Sequence, residues 1–334
     1  MDNATYTSYC AEDRSYFSLL KKDINKKALE AGFESKKLSS LDIIVAEMTS
    51  NLQKHAEKGE LLVSITGEEG KEYLELICID NGPGMADASK MMPDGVSTTS
   101  TSGNGLGSIK RLSDYFEIYS LLGWGTILLC RIYKNADIPE KRSIIMRSLT
   151  VPKPGETVSG DGGTFIQNAD YFKLLVADGL GHGEEAHRAI IEARKAFKTC
   201  RENDPVNIIR FIHESIKKTR GAVGMVVVYD FKRKVWKTAG VGNITTGMSN
   251  YLSVRNLMSY NGIIGHNIPN TMSSQEISSA DYQQITLCSD GLKTRWDSTK
   301  YAGINKYDPS FLAAALYKDY ARKTDDMSVI VCKV

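Results

Sequence analysis

Between positions 41 and 52 the apolar residues Leu41, Ile44, Val45, Met48 and Leu52 return every three or four positions, the period of one helix face. This predicts a helix from Ser39-Ser40 to about Lys58. An earlier amphipathic stretch, 15–31 (SYFSLLKKDINKKALEA), predicts another, stopped by Gly32. The pattern then shortens. Apolar runs at 61–66 and 73–79 predict strands, a Gly/Ser/Thr-rich stretch covers 94–107, and a helix at about 107–114 precedes strands near 116–121 and 126–133. Over 134–157 (KNADIPEKR, VPKPGE) proline and charge accumulate and the periodicity fades, which places a domain boundary there. Beyond it the pattern predicts strands at 171–177, 225–229, 235–239, 284–288 and 327–333, and helices at 184–198, 205–219 and 309–320. No internal repeat or low-complexity tract interrupts either half. The expected organisation is therefore a domain at 1–134, a linker at 135–146 and a domain at 147–334.

Composition narrows the class without naming a function. The chain has 334 residues, 42% hydrophobic and 25% charged, as expected of soluble globular domains. A net charge of +2 gives no reason to expect nucleic acid or an anionic membrane as partner. The N-terminal MDNATYTSYCAEDRSYF lacks a basic region followed by an apolar run, so neither a signal peptide nor a membrane span is expected. Six scattered cysteines form no CxxC pair, and Cys78, Cys288 and Cys332 sit in apolar runs as small hydrophobes. A reducing, cytoplasmic location fits.

In the first half, Glu47, Asn51 and His55 are spaced i, i+4, i+8 and lie close to one helix face, offset from the apolar stripe. A carboxylate and a carboxamide one turn apart can serve as a base and a metal ligand beside a nucleotide, although a solvated polar face is the plainer reading of this helix alone. ELICIDNGPGM (75–85) is a strand ending in Asp80 and a Gly-x-Gly turn. A carboxylate there can accept from an exocyclic amine, and glycines let backbone approach a ligand. STTSTSGNGLGSIKRL (97–112) sets Gly103, Gly105 and Gly107 before a helix whose N-terminal amides suit phosphates. It matches neither a Walker loop nor a Rossmann fingerprint in context.

The ordered set ExxxN, DxGxG and GxGLG, over roughly residues 10–134, resembles the GHKL ATPases. Within them it resembles the anti-sigma serine kinases of bacterial partner-switching systems, to which DNGPGM, STTSTSGNGLG and DYFEIYSLLGWGT are especially similar. The resemblance implies ATP and Mg²⁺, with Glu47 as base, Asn51 on Mg²⁺ and Asp80 on the adenine amine. It also implies that Gly82 and Gly84 shape the adenine pocket and that Gly103, Gly105 and Gly107 line the phosphates. His55 reads as a helix-end residue; Lys110 and Arg111 can assist phosphate binding but read more simply as a solvated face.

In the second half acidic residues recur at the ends of apolar runs: Asp161 in VSGDGG, Asp178 in FKLLVADGLGHG, Asp290 in QITLCSDGL, and Asp325 and Asp326 in KTDDMSVIV. One Asp-Gly is an ordinary turn. Several convergent carboxylates without a matching cationic cluster call for hard cations, Mg²⁺ or Mn²⁺ rather than zinc. The order resembles the PPM-type metal-dependent phosphatases of the short SpoIIE-like branch, across about 147–334. That resemblance implies two Mn²⁺ or Mg²⁺ ions, with Asp178 bridging, the Gly179 carbonyl on one ion, and Asp161, Asp290 and Asp325 as further ligands. Asp326 reads as structural. His182 serves either as an acid or to order its loop, Arg220 either reaches a phosphate or makes a structural salt bridge, and Asn243 reads as a turn residue.

Together the resemblances imply an α/β (α+β) chain. It joins a GHKL-type α/β sandwich, with a mixed sheet covered on one face by helices, to a PPM-type αββα sandwich of two antiparallel sheets. They imply a bifunctional regulator that phosphorylates a serine or threonine of a STAS-domain antagonist and dephosphorylates the same or a sister protein. Kinases of this type often work as dimers or on dimeric partners, so a homodimer is compatible. The competing expectation is an ATP-dependent binding switch without kinase activity, fused to an active phosphatase.

Overall fold

The computed structural model describes residues 4–10, 14–55, 59–67, 70–87, 105–135, 143–250 and 253–334. It divides into two compact units. One comprises Tyr6–Lys141 and Thr299–Tyr307; the other comprises Met1–Thr5, Arg142–Ser298 and Asp308–Val334.

The first unit runs β1 (Thr7–Cys10), α1 (Arg14–Glu30), α2 (Ser35–His55), β2 (Gly59–Thr66), β3 (Tyr73–Asp80), α3 (Gly105–Leu112), β4 (Tyr115–Leu121) and β5 (Gly125–Tyr133). Its strands form one sheet in the order β1-β2-β3-β5-β4. Every pairing is antiparallel, where a mixed sheet was expected. Apolar periodicity marks which residues face the core but carries no information on strand direction, which the loops decide.

The helical stripe of α2 (Leu41, Ile44, Val45, Met48, Leu52) joins Leu20, Ile24 and Ala28 of α1 over alternate residues Leu74, Leu76 and Cys78 of β3 and Leu128, Cys130 and Ile132 of β5. The first helix stops where a left-handed residue is needed. Gly32 has φ +81°. The Phe33 and Gly32 amides return to the Ala28 and Leu29 carbonyls at 3.1 and 2.9 Å. The Thr299–Tyr307 segment completes this unit: Tyr119 donates its hydroxyl to the Ala302 carbonyl at 3.1 Å and meets the Tyr307 ring edge-on at 5.2 Å.

The second unit contains β6 (Ile145–Val151), β7 (Asp161–Gln167), β8 (Tyr171–Gly179), α4 (Glu184–Thr199), α5 (Pro205–Ser215), β9 (Ala222–Asp230), β10 (Val235–Val241), β11 (Thr245–Ser249), β12 (Val254–Leu257), β13 (Gln275–Ser278), β14 (Gln284–Cys288), α6 (Pro309–Tyr320) and β15 (Met327–Lys333). Two five-stranded sheets result, β13-β10-β9-β8-β7 and β12-β11-β14-β15-β6. In β8, Leu174 and Val176 enter the apolar layer shared with Ile285, Leu287 and Ile330 of the other sheet. Leu175 and Ala177, on the opposite face, meet Ile190, Phe197 and Ile209 of α4 and α5. α6 packs on β6 and β15. Layers of helix, sheet, sheet and helix follow.

Capping fixes where α5 and α6 begin. Asp204 accepts from the Val206 and Asn207 amides ahead of α5, and Asp308 from the Ser310 amide ahead of α6, each followed by proline at the first helical position. No helix among the described residues is long and apolar enough to cross a membrane.

Candidate active sites

The first unit gathers its candidate residues in two clusters. On α2, Glu47 and Asn51 stand one turn apart, and α3 begins against them. A Cβ added to Gly105 would lie 2.8 Å from Glu47 Oε2 and 3.7 Å from Asn51 Oδ1. Glycine at this position lets α3 sit this close to the two side chains without displacing the Glu47 carboxylate. Gly107 is buried within α3, whereas Gly103 lies outside the described residues. Lys110 and Arg111 are exposed, and the His55 side chain also lies outside the described part.

The second cluster surrounds Asp80, at the end of β3. Its Oδ1 accepts from the Gly82 amide at 2.8 Å and the Thr126 amide at 3.1 Å. Two close approaches fix this corner. Gly84 has φ +68°, and a Cβ there would stand 1.9 Å from the Leu121 carbonyl oxygen. Gly125 has φ +119°, and a Cβ there would stand 2.3 Å from the Asp80 carbonyl oxygen. The Met85 amide donates to Ser120 Oγ at 2.8 Å, and the Gly123 amide to the Pro83 carbonyl at 2.8 Å. The DNGPGM turn is thus sewn to the β4–β5 hairpin. Ser120, Gly125 and Thr126 belong to this site, yet sequence reasoning assigned them no role. Their segment, DYFEIYSLLGWGT, stood out only by its resemblance.

In the second unit the acidic residues meet at one edge of the sandwich. Asp161 opens β7 and is paired across the ladder with Asp178 near the end of β8, so both side chains project from one face. In the facing sheet, Asp290 follows β14 and Asp325 precedes β15, its paired neighbour. Ser289 joins the two sheets: its hydroxyl donates to Asp161 Oδ2 and accepts from the Ser328 amide at 2.9 Å.

Asp326 is 3% exposed and spends both oxygens on backbone, accepting from the Lys153 and Gly160 amides at 2.8 Å each. It clamps the loop leading into Asp161. Asn243 is more than a turn residue, since its Nδ2 donates to Asp290 Oδ2 at 3.0 Å. His182 places Nδ1 2.9 Å from Glu156 Oε1, which orders the loop opening α4. Gly179 is pinned by its amide on the Gly160 carbonyl at 2.9 Å, and a Cβ there would meet the Ala186 carbonyl at 2.5 Å.

Crowding shows in the electrostatics. Burial pushes the Asp161 and Asp178 carboxyls well above the ordinary carboxylate range. The negative charges of Asp290, Asp325 and Asp326 push them further, and only the Ser289 hydrogen bond on Asp161 acts the other way. Among the described residues, no three Asp, Glu, His or Cys side chains are grouped closely enough to hold an ion by themselves. The donor set fits a hard cation that keeps part of its water shell and takes one or two carboxylates and a backbone carbonyl, as Mg²⁺ does.

Known proteins match each unit. The histidine kinase-like ATPase domain family matches residues 17–131. Serine/threonine-protein kinase RsbT of Bacillus subtilis (strain 168) is 36% identical over 99 residues, 30% of this chain and 74% of RsbT. Phosphoserine phosphatase RsbX of the same organism is 29% identical over 94 residues, 28% of this chain, and the match spans only 46% of RsbX.

A solved structure from work on the bacterial stressosome, described as a modular system adapted to control secondary messenger signaling, superposes with a TM-score of 0.53 at 27% identity. It covers 57% of this chain and 100% of that one. The crystal structure of RsbX in complex with magnesium gives a TM-score of 0.51 at 18% identity over 59% of this chain and 98% of RsbX, a likeness of fold. The chain belongs to the RsbT-like family of histidine kinase-like ATPase domains, and carries that domain fused to a unit with the fold of RsbX.

Proposed function

We propose that the chain is a cytoplasmic partner-switching regulator that adds a phosphate to a protein serine or threonine with its first unit and removes one with its second. The substrate of the kinase reaction is a STAS-domain antagonist. The observation that carries the reading is that one chain holds both constellations: Glu47 and Asn51 closed over the glycine start of α3, and four aspartates gathered at one edge of a PP2C-like sandwich.

In the kinase reaction Asp80 receives the adenine amine and the α3 amides face the phosphates. Asn51 would hold the Mg²⁺ that accompanies ATP. The Glu47 carboxylate takes the hydroxyl proton as the substrate oxygen bonds to the γ-phosphorus and ADP departs. The intact Glu47 stands against the binding-switch alternative, which needs no base.

In the phosphatase reaction Asp178, the Gly179 carbonyl, Asp161, Asp290 and Asp325 would hold the metal, Mg²⁺ or Mn²⁺, with water completing its shell. When bound, such ions activate water and offset phosphoryl charge. Ser289 and Asn243 orient Asp161 and Asp290, and Asp326 holds the loop that delivers Asp161.

Intact-mass measurement on a STAS-domain protein tests both halves. ATP with Mg²⁺ is expected to add one phosphate, and Mg²⁺ or Mn²⁺ after ATP removal to take it away. Glu47→Gln is expected to bind ATP and transfer nothing. Transfer at the wild-type rate by this variant refutes the base assignment.

A further inference from the structure

β8 and β9 run antiparallel, with Asp178 opposite Val223 and Gly179 opposite Ala222. The Leu180 amide extends this ladder to the Gly221 carbonyl at 3.2 Å. Arg220 therefore enters at the sheet edge where Asp178 and Gly179 lie. Its Nη1 is 3.1 Å from the position that a Gly181 Cβ would occupy, and Gly181, at φ +88°, leaves that space open. The guanidinium rests on the loop that departs from Asp178-Gly179.

The backbone of Arg220 is held from the other side. His266 Nε2 lies 2.8 Å from its carbonyl oxygen, and a Cβ on the adjacent Gly221 would stand 2.6 Å from His266 Cδ2 and 2.8 Å from the Ile264 carbonyl. Among the described residues the salt bridge that the sequence left open for Arg220 is not formed. Its side chain is exposed, and among the described residues its guanidinium has neither a hydrogen bond nor an ion pair. Arg147, Arg188 and Arg233 are paired, with Asp308, Glu185 and Glu276. Arg201, Arg255, Arg295 and Arg322 are exposed and unpaired among the described residues as Arg220 is, so what sets Arg220 apart is its place beside the loop that leaves Asp178-Gly179.

A phosphomonoester brings a dianion to an edge already crowded with carboxylates. A planar guanidinium fork, with two parallel N–H donors, matches phosphoryl oxygens better than a point charge does. We propose that Arg220 binds the phosphoryl oxygens of the phosphoserine or phosphothreonine substrate. The assignment rests on the phosphatase reading for the reaction, but not for the anion contact itself.

The test uses the full chain with Mg²⁺ and two readouts. Calorimetry measures the affinity for inorganic phosphate, and initial rates on a phosphoserine peptide give KM and kcat. Arg220→Ala is expected to weaken phosphate binding and raise KM by about ten- to a hundred-fold, with a smaller effect on kcat. Arg220→Lys is expected to fall between, and Lys217→Ala, at a neighbouring exposed position, to match the wild type. Wild-type phosphate affinity in Arg220→Ala overturns the proposal, as does a wild-type chain that binds no phosphate. If the wild type hydrolyses no phosphopeptide yet loses phosphate affinity on Arg220→Ala, the phosphatase reading falls and the Arg220 assignment stands.

Discussion

A methyl group on Gly84 would stand 1.9 Å from a carbonyl oxygen, whereas at Asp178 the constraint is charge: burial, and then the charges of Asp161, Asp290, Asp325 and Asp326, raise its pKa. The nucleotide-side corner is built by backbone approaching backbone, with Asp80 accepting amides that hold the turn shut. The acidic edge is built by collecting carboxylates whose charge burial makes costlier still, with hydrogen bonds from Ser289 and from the backbone amide that Asp326 accepts offsetting only part of it. On the proposed reading both arrangements serve phosphate chemistry. They should fail differently, because a site limited by space is damaged by adding atoms and a site limited by charge is relaxed by removing it.

The sharpest test of that contrast is Asp178→Asn. Loss of a metal ligand is expected to lower phosphoserine hydrolysis by about a thousand-fold or more, several kcal/mol of transition-state stabilisation. The same change should raise the melting temperature of the chain in EDTA. The Asp178 carboxyl is raised above its unfolded value, so the folded state holds its proton more tightly than the unfolded chain. The contribution of Asp178 to metal-free stability is therefore full below the ordinary carboxylate pKa and declines as pH rises above it. A neutral amide removes that decline, and added Mg²⁺ should stabilise the wild type but not the variant. Calorimetry with and without metal decides; a metal-free variant that melts below the wild type defeats the charge-limited picture.

Gly84→Ala is the counterpart at the space-limited site. It forces a side chain into φ +68° against the Leu121 carbonyl. Strain and displacement should cost about 2–4 kcal/mol and abolish measurable ATP binding, so activity and stability fall together. ATP titration and thermal melts of the variant read both. Retained binding would mean that the turn relaxes freely and that the glycine answers no spatial need.

These two sites were unequally legible. Long periodic or apolar segments were plain: the α2 stripe, β3, and the buried runs of β8 and β15. Short or polar strands were not. β7 opens on Asp-Gly-Gly, β12 is Val-Arg-Asn-Leu with three exposed positions, and β13 carries Gln and Glu at a sheet edge. Their strand character comes from a neighbour's hydrogen bonds rather than from their own propensity.

Within the sites, aspartates beside glycines announced themselves by residue type and order. Thr126, Ser289 and Asn243 did not, because a backbone amide, a hydroxyl or a carboxamide gains meaning only from the partner that tertiary structure supplies. α3 illustrates the same limit from the other side: the close seat of Gly105 against Glu47 is a tertiary contact that periodicity does not record.

Asp80→Asn separates charge from space within the nucleotide corner. The amide oxygen can still accept from the Gly82 and Thr126 amides, so the fold should hold. The adenine amine loses a charged acceptor, and ATP affinity is expected to fall about ten- to a hundred-fold with no change in melting temperature. Isothermal titration with ATP measures it. Unchanged affinity would restrict Asp80 to holding the turn, making the corner purely spatial.

The smallest expected effect is at Asn243, where the charge-limited edge is tuned rather than built. Its Nδ2 is the donor that steers one oxygen of Asp290 at 3.0 Å, and the residue is exposed, so water can replace part of what a deletion removes. Asn243→Ala should cost about ten-fold or less in turnover, appearing first as a higher Mg²⁺ requirement, because a ligand free to rotate must be ordered by the ion itself. Asn243→Asp is the more telling substitution. It adds a carboxylate beside Asp290 and replaces a donor with repulsion, so it should weaken Mg²⁺-dependent turnover more than alanine does while lowering the metal-free melting temperature. Alanine more damaging than aspartate would show that the hydrogen bond, and not the balance of charge, is what this edge cannot spare.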